Sequence, residues 1–213
     1  MNPDSPLLAM FQDVLEMLGL TWASFRRRDP TGLDKAAALG RDVHEREKNL
    51  TRALLTGHPD PEGLRFVPSH LERAGASIDD LVRCLYAMEA ESTLFTDRGV
   101  REINQLFEKA TELLECARDL MLTGNRILAR HVEIESMRFQ DLASEFARAH
   151  EERLIEGVCM PKASSAYLAM LDYLREVTRH ARRIAVRVVR PDTATSLFHD
   201  VPRGEIRRIS DDR

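Results

Sequence analysis

Apolar residues recur at alternating steps of four and three through most of the chain. The clearest run lies between Leu64 and Met88 and consists of Val67, Leu71, Ala74, Ile78, Leu81, Leu85 and Met88. This spacing places apolar side chains on one face of an α-helix. Runs with a similar spacing begin at Leu7, Ile103 and Tyr167. The pattern therefore predicts long amphipathic helices that bury one face against each other.

Two weaker segments, about 33–56 and 127–156, are also helix-like, so the sequence predicts six helices. Residues typical of helix starts and ends stand between them: Ser5-Pro6, Asp29-Pro30-Thr31-Gly32, His58-Pro59-Asp60-Pro61, Thr96-Asp97, Gly124-Asn125 and Pro161. Proline is favoured in the first turn of a helix, serine, threonine and asparagine cap helix starts, and glycine follows helix ends. These positions predict short turns between long helices.

The order of two helices, a proline-bearing turn and a third helix occurs twice, with a break at 92–97. An offset of about 103 positions also pairs apolar residues of the two halves: Leu71 with Leu174, Ile78 with Ala181, and Leu81 with Ile184. We therefore predict an all-α fold of two tandem antiparallel three-helix bundles. The predicted bundles span residues 5–91 and 98–190, and residues 191–213 are predicted to form a flexible tail.

The composition agrees with this fold class and argues against several kinds of partner. Of 213 residues, 43% are hydrophobic, 31% charged and 6% aromatic, a mixture typical of long solvated helices around a substantial core. A formal net charge of -4, without a basic segment that carries aromatic residues, argues against nucleic acid as a partner. No apolar run approaches the ~20 residues of a membrane-spanning helix. Three widely spaced cysteines favour reduced thiols and a cytoplasmic location.

Common enzyme motifs are missing from the sequence. It has no glycine-rich phosphate loop, no HExxH helix and no GxSxG turn. The apolar faces of the predicted helices also show no cluster of polar residues. We therefore expect a binding protein rather than an enzyme.

Arginines follow one face of the last predicted helix. This arginine stripe consists of Arg175, Arg179, Arg183, Arg187 and Arg190. Steps of four, four, four and three residues place it beside the apolar face. In one interpretation the stripe lies in solvent and pairs with acids of the preceding helix, such as Glu133, Glu135, Asp141 and Glu145. In the other it binds an anionic protein surface or phosphate, because guanidinium groups recognise carboxylates and phosphates.

Two segments of the chain resemble the PhoU-like family, which includes regulators of phosphate transport and soluble domains of sodium/phosphate cotransporters. Leu71-Glu72-Arg73-Ala74-Gly75 resembles the first part of the family's LERIGD signature. Ser164-Ser165-Ala166-Tyr167-Leu168, followed by His180-Ala181, is similar to the family's run into its second signature, LERIGDHA. The resemblance covers about residues 5–190 and includes the tandem arrangement of three helices.

The resemblance implies a negative regulator of phosphate uptake or phosphate signalling. Such a protein acts by contact with a transporter or sensor protein, which can be membrane-bound, and a homodimer is also plausible. Together with the arginine stripe, the resemblance makes five residues candidates for partner binding: Glu72, Arg73, Arg175, Arg179 and Arg183. For Glu72 and Arg73 the competing interpretation is a structural ion pair on the helix flank. Asp79 and Asp80 are expected to lie on a solvated face.

The resemblance also implies positions for metal ligands. Many PhoU-like proteins hold iron or zinc with acids four residues apart, which share one helix face. In the first signature Glu72 is acidic but Ala76 stands at the second acidic position. In the second signature Arg175 and Arg179 stand at both acidic positions. An arginine cannot ligate a cation, so we expect no family-type cluster in the second half.

Companion ligands are expected on the second helix of each half, near Glu45 and Asn49 and near Ser136 and Gln140. The remaining metal candidates are Glu45 and Glu72. Our hypothesis for the second half is that charge pairing has replaced metal bridging. Glu176 and His180 also have the spacing of a metal-binding pair, although a surface hydrogen bond explains that spacing as well. A carboxylate-bridged metal protein and a helical scaffold unrelated to phosphate stay open as alternatives.

Overall fold

The computed structural model describes residues 5–56 and 64–189. This part of the chain contains six α-helices and no β-strand: α1 (Pro6–Arg27), α2 (Leu33–Thr56), α3 (Val67–Ala90), α4 (Asp97–Thr123), α5 (Arg126–Ile155) and α6 (Pro161–Val189). The predicted all-α fold class is confirmed. None of these helices has an apolar stretch of the length and low charge needed to cross a bilayer. The predicted tail, 191–213, lies outside the described residues.

The helix ends follow capping residues that the sequence predicts. Side-chain oxygens of Ser5, Thr96 and Asn125 each accept a hydrogen bond from a backbone N–H in the first turn of α1, α4 and α5. Gly124 ends α4 with a φ of 63°, a left-handed conformation in which a side chain would be strained. Local chemistry therefore sets where these helices begin and end.

The helices form two antiparallel three-helix groups that pack side by side. α1, α2 and α3 pack on one another, and so do α4, α5 and α6. Between the groups, α3 lies against α6 and α1 lies against α4. α3 and α6 are antiparallel, since His70 contacts His180 near one end. Near the other end, the Cys84 Sγ lies 3.8 Å from the carbonyl oxygen of Ala166.

One apolar core runs through both groups of helices. The six residues that the internal repeat pairs all lie in this core and are 0% exposed: Leu71, Ile78, Leu81, Leu174, Ala181 and Ile184. Apolar burial of this kind contributes ~25 cal/mol per Å² to stability. Because the core is shared, it draws no boundary between the halves. The division into domains at 5–91 and 98–190 stays a prediction.

The single tryptophan lies where the two groups meet. Trp22 of α1 stacks on Phe107 of α4, with the ring centroids 6.1 Å apart. Its Nε1–H donates a hydrogen bond of 2.7 Å to the Oδ1 of Asn104. A buried tryptophan combines a large apolar surface with one donor that needs a partner. This contact therefore joins α1 to α4 by both packing and a directional bond.

Candidate functional site

The first signature places Glu72 on the side of α3 that faces α2. Its Oε1 lies 3.2 Å from the Nδ1 of His44 on α2. Glu45, the expected companion, is exposed and instead pairs with Lys48 on its own helix at 3.0 Å. The structure thus puts His44, one residue earlier, opposite Glu72. The bridge to α2 is a histidine–carboxylate contact and does not involve Arg73.

α2 and α3 approach closely at Gly40. A Cβ atom at this position would lie 2.6 Å from both carboxylate oxygens of Asp79. The expectation that Asp79 lies on a solvated face is therefore wrong, because the carboxylate packs against the α2 backbone. Burial raises the pKa of Asp79. Asp80, by contrast, forms an ion pair with Arg83 on the outer face of α3.

The second signature faces neutral hydrogen-bonding groups on α5. The Oγ of Ser136 donates to the Thr178 carbonyl oxygen at 3.4 Å. The Nε2 of Gln140 donates to the Arg175 carbonyl oxygen at 3.1 Å and to the Thr178 Oγ1 at 3.2 Å. Ser136 and Gln140 therefore occupy the companion positions that the sequence predicts. Their hydrogen bonds join α5 directly to α6.

The residues at these positions do not fit a carboxylate-bridged iron or zinc cluster. In the second half, Arg175 and Arg179 supply no ligand atom, and Ser136 and Gln140 opposite them are neutral groups that cannot form a carboxylate bridge. In the first half, Glu72 and His44 supply two donor groups. Within residues 5–56 and 64–189, no three or more His, Cys, Asp or Glu side chains are grouped to hold one metal ion.

Two arginines of the stripe have partners on their own helix. Arg175 pairs with Asp172 at 2.9 Å and donates to the Ser144 Oγ at 2.7 Å. Arg179 forms an ion pair with Glu176. The predicted pairing with acids of α5 is therefore wrong for both. On α6, Arg182, which the stripe omits, does lie near such an acid: its Nη2 is 3.9 Å from Glu133.

Three exposed arginines of α3 and α6 have no ion-pair partner among the described residues: Arg73, Arg183 and Arg187. The guanidinium of Arg187 lies 4.6 Å from the ring centroid of Phe66, a cation–π contact that leaves its charge uncompensated. The side chains of α3 and α6 thus carry excess positive charge near the place where these helices meet.

A histidine pair lies beside these arginines. The rings of His70 on α3 and His180 on α6 have centroids 5.6 Å apart, and His180 is only 5% exposed. Burial, together with the nearby charges of Arg183 and Arg73, lowers the pKa of each ring to about 4. Both rings are therefore neutral at pH 7. The i, i+4 spacing in the sequence pairs His180 with Glu176, whose Oε2 lies 4.0 Å away, and gives no sign of the contact with His70.

A cleft of about 540 Å³ opens next to the histidine pair. We call it the arginine cleft; its lining residues are His70, Arg179, Arg182, Arg183, Val186 and Arg187. No carboxylate is among these described lining residues. The arrangement suits an anionic ligand, because cationic groups from α6 and a histidine from α3 converge on one concave surface.

A buried ionic network lies in the second helix group. Arg153 of α5 donates two hydrogen bonds to Glu102 of α4, at 3.0 and 2.7 Å, and the Tyr167 hydroxyl of α6 donates a third at 2.5 Å. Burial opposes ionisation of Glu102, but these bonds and one from Arg98 hold its pKa below the ordinary value. The expectation that the apolar faces contain no polar cluster is therefore wrong.

The network's form indicates a structural role. All three helices of the group contribute to the network, and His150 stacks on Tyr167 with ring centroids 4.3 Å apart. The Nε2 of His150 also lies 3.0 Å from the Ser164 Oγ. Burial, followed by the bond to Glu102, raises the pKa of Tyr167. The hydroxyl therefore stays protonated, and the opposite charges of Glu102 and Arg153 compensate each other.

Comparison with solved structures finds the same fold in PhoU proteins. PhoU from Pseudomonas aeruginosa matches with a TM-score of 0.78 and 19% identity, over 88% of this chain and 95% of that one. The phosphate transport system regulatory protein PhoU from Streptococcus pneumoniae matches with a TM-score of 0.74 and 14% identity, over 86% and 90%. A PhoU-like protein from Shewanella oneidensis MR-1 matches with a TM-score of 0.63 and 12% identity, over 88% and 97%.

No family model and no curated protein sequence matches the chain. The resemblance to PhoU-like proteins that the sequence indicates is confirmed at the level of the fold, over most of the chain. With identities below 20%, the likeness concerns the arrangement of the helices and assigns no role to an individual side chain.

Proposed function

We propose that this chain regulates phosphate uptake or phosphate signalling by contact with a transporter or sensor protein. The observation that carries this proposal is the extent of the structural likeness, which spans nearly the whole chain and nearly the whole of PhoU from two bacteria. One of those proteins is described as a phosphate transport system regulatory protein. Fold alone does not determine function, so the proposal also needs a surface that could make the contact.

That surface, in our proposal, is the exposed side of α3 and α6. The candidate residues are Glu72, Arg73, Arg175, Arg179 and Arg183. Arg175 is held by Asp172 and Ser144 and has only 20% of its side chain exposed, and Glu72 is engaged by His44. Arg73 and Arg183 are exposed and without an ion pair among the described residues. They are therefore the best placed to attract an acidic surface of the partner.

The proposed mode of action is binding and not catalysis, in the cytoplasm. The PhoU protein from S. pneumoniae is described as regulatory, which agrees with a non-enzymatic role. Cys84, Cys116 and Cys159 are free thiols, as is usual for proteins of a reducing compartment. The buried Glu102 network supplies structural ionic groups and does not form an open reaction site.

Uptake of radiolabelled phosphate by the native host tests the proposal. Cells without the chain should take up phosphate faster than wild-type cells in phosphate-rich medium, because a negative regulator has been removed. Expression of the wild-type chain should restore normal uptake, and Arg73→Glu should restore it less well. Arg130→Glu, a reversal of the same charge at an exposed position of α5, is the matched control and should restore uptake fully. Unchanged uptake in the deletion strain would contradict the proposal.

A further inference from the structure

The arginine cleft has more positive charge than the described acids around it can neutralise. Arg179 is paired with Glu176, and Arg182 lies 3.9 Å from Glu133. Arg183 and Arg187 line the same cleft without an acidic partner in the described part of the chain. Neighbouring like charges repel one another, and an anion placed between them would relieve that repulsion. The cleft therefore has a physical reason to bind an anion.

The shape of the cleft separates it from an ordinary solvated arginine face. Its volume of about 540 Å³ lies within the range of small-ligand sites. Val186 contributes an apolar wall, and His70 contributes a ring from the opposite helix. The aromatic ring of Phe66 lies beneath the guanidinium of Arg187 and restricts where that group can go. Arginines that are already held around a concave surface lose less conformational entropy on binding a ligand than arginines along a flat helix face.

We propose that the arginine cleft binds a phosphate group, either as inorganic phosphate or as a small phosphate monoester. A guanidinium presents a planar fork of N–H donors that matches two phosphate oxygens, and Arg183 and Arg187 can each offer one. Arg182 and His70 line the same space and can complete the set of donors. This inference goes beyond the proposed regulatory role and stands or fails independently of it.

The neighbouring histidines supply a direct signature of occupancy. His70 faces the cations Arg73, Arg183 and Arg187, and it also contacts His180. His180 faces His70, Arg73, Arg179 and Arg183, and the Oε2 of the acid Glu176 lies 4.0 Å away. The arginine charges keep the pKa of His70 low, in addition to the effect of burial. A phosphate bound in the cleft offsets those charges, so it raises the pKa of His70.

Titration of the full chain with inorganic phosphate, followed by NMR of the histidine rings and by calorimetry, tests the inference. The expected result is saturable binding with an upward shift of the His70 pKa. Arg183→Gln/Arg187→Gln should weaken binding about tenfold or more, since two charged contacts are removed. Arg130→Gln/Arg138→Gln removes the same charge from exposed positions of α5 and should change affinity by less than about twofold, within the range of general charge effects.

A second arm uses phosphoserine and adenosine monophosphate to distinguish a monoester ligand from free phosphate. Tighter binding of a monoester would identify the ester as the ligand, and equal or weaker binding would identify inorganic phosphate. Circular dichroism and thermal unfolding show whether each variant is folded; Arg183 and Arg187 are exposed, so folding should be unaffected. Absence of saturable binding by either class, or an equal loss in the α5 control, would overturn the inference.

Discussion

At the scale of single residues, the contact with the largest consequence for stability is the buried pair Glu102–Arg153. Both side chains are less than 10% exposed, and two parallel hydrogen bonds join the guanidinium to the carboxylate. Ionised groups lose a large hydration energy on burial, which only a well-aligned partner can offset. Removing one partner therefore leaves the other with an unpaired charge in the core.

Glu102→Gln tests this account of the buried pair. It should lower the free energy of unfolding by about 3 kcal/mol, because the charge of Arg153 stays buried without a counter-ion. Arg98→Gln removes the exposed member of the same network and should cost about 0–1 kcal/mol. Urea denaturation monitored by circular dichroism measures both. Equal and small losses would show that the pair is solvated and that the buried network contributes little.

The sequence could have indicated Glu102 but not its partner. Glu102 lies one turn before Leu106 on the face of α4 that becomes buried, so a charged residue breaks the apolar pattern there. Arg153 lies 51 positions later on α5, and only the tertiary packing of α4 against α5 brings the two together. Residue spacing indicates which face of a helix is buried. It does not indicate which side chain of another helix packs against that face.

At the scale of helices, α3 has a different kind of contact on each side. Toward α2 it makes the His44–Glu72 contact and the close approach of Asp79 to Gly40. Toward α6 it presents His70 to His180. The segment of α3 around Glu72 therefore takes part in helix packing. The exposed edge between α3 and α6 carries arginines that have no ion pair within the described part of the chain.

The His70–His180 contact predicts how stability depends on pH. The folded-state pKa of both rings, about 4, is below the ordinary value of 6.5, so the unfolded chain binds more protons in the interval between them. Stability contributed by the neutral pair is thus present above pH 6.5 and is lost as the pH falls toward 4. The arginines facing the pair add to this loss, while Glu176 near His180 opposes it.

Urea denaturation at several pH values between 7 and 4 measures this effect. His70→Gln/His180→Gln should lose less stability across the interval than the wild type, because the titrating groups are gone. His131→Gln replaces an exposed histidine of α5 and should follow the wild-type curve. Parallel curves for the double variant and the wild type would mean that the pair does not control the pH dependence.

The helix pairing itself was partly readable from the sequence. Ser136 and Gln140 lie opposite the second signature, as the resemblance to PhoU-like proteins implies. On α2 the buried positions include Ala36 and Gly40, whose small side chains give a weak apolar signal. The predicted companion of Glu72, Glu45, is therefore wrong by one residue, and His44 lies opposite Glu72 instead.

At the scale of the whole molecule, the two helix groups share one apolar core. α3 packs on α6, and the stack of Trp22 on Phe107 closes the contact between α1 and α4. The sequence predicts the two groups through the repeated helix order, and the structural likeness to PhoU supports the arrangement. The sequence does not predict how tightly the two groups pack on each other, because the same apolar residues could form two separate cores or one shared core.

Unfolding of the wild-type chain should therefore be a single transition. Fluorescence of Trp22, which lies between the groups, and far-ultraviolet circular dichroism should change at the same urea concentration. Asn104→Ala removes the acceptor of the Trp22 Nε1–H and should lower stability by about 1 kcal/mol without separating the two transitions. A fluorescence change well before the loss of helix would show that the groups separate first and behave as two domains.

Capture of the tagged chain from its native host, grown in phosphate-rich and in phosphate-starved medium, tests the central claim most directly. Cross-linking before capture retains weak contacts, and mass spectrometry identifies what is bound. The account predicts a phosphate transporter subunit or phosphate sensor whose recovery differs between the two media, falls with Arg73→Glu and persists with Arg130→Glu. Recovery of one and the same complex unrelated to phosphate transport in both media, unaffected by Arg73→Glu, would contradict it.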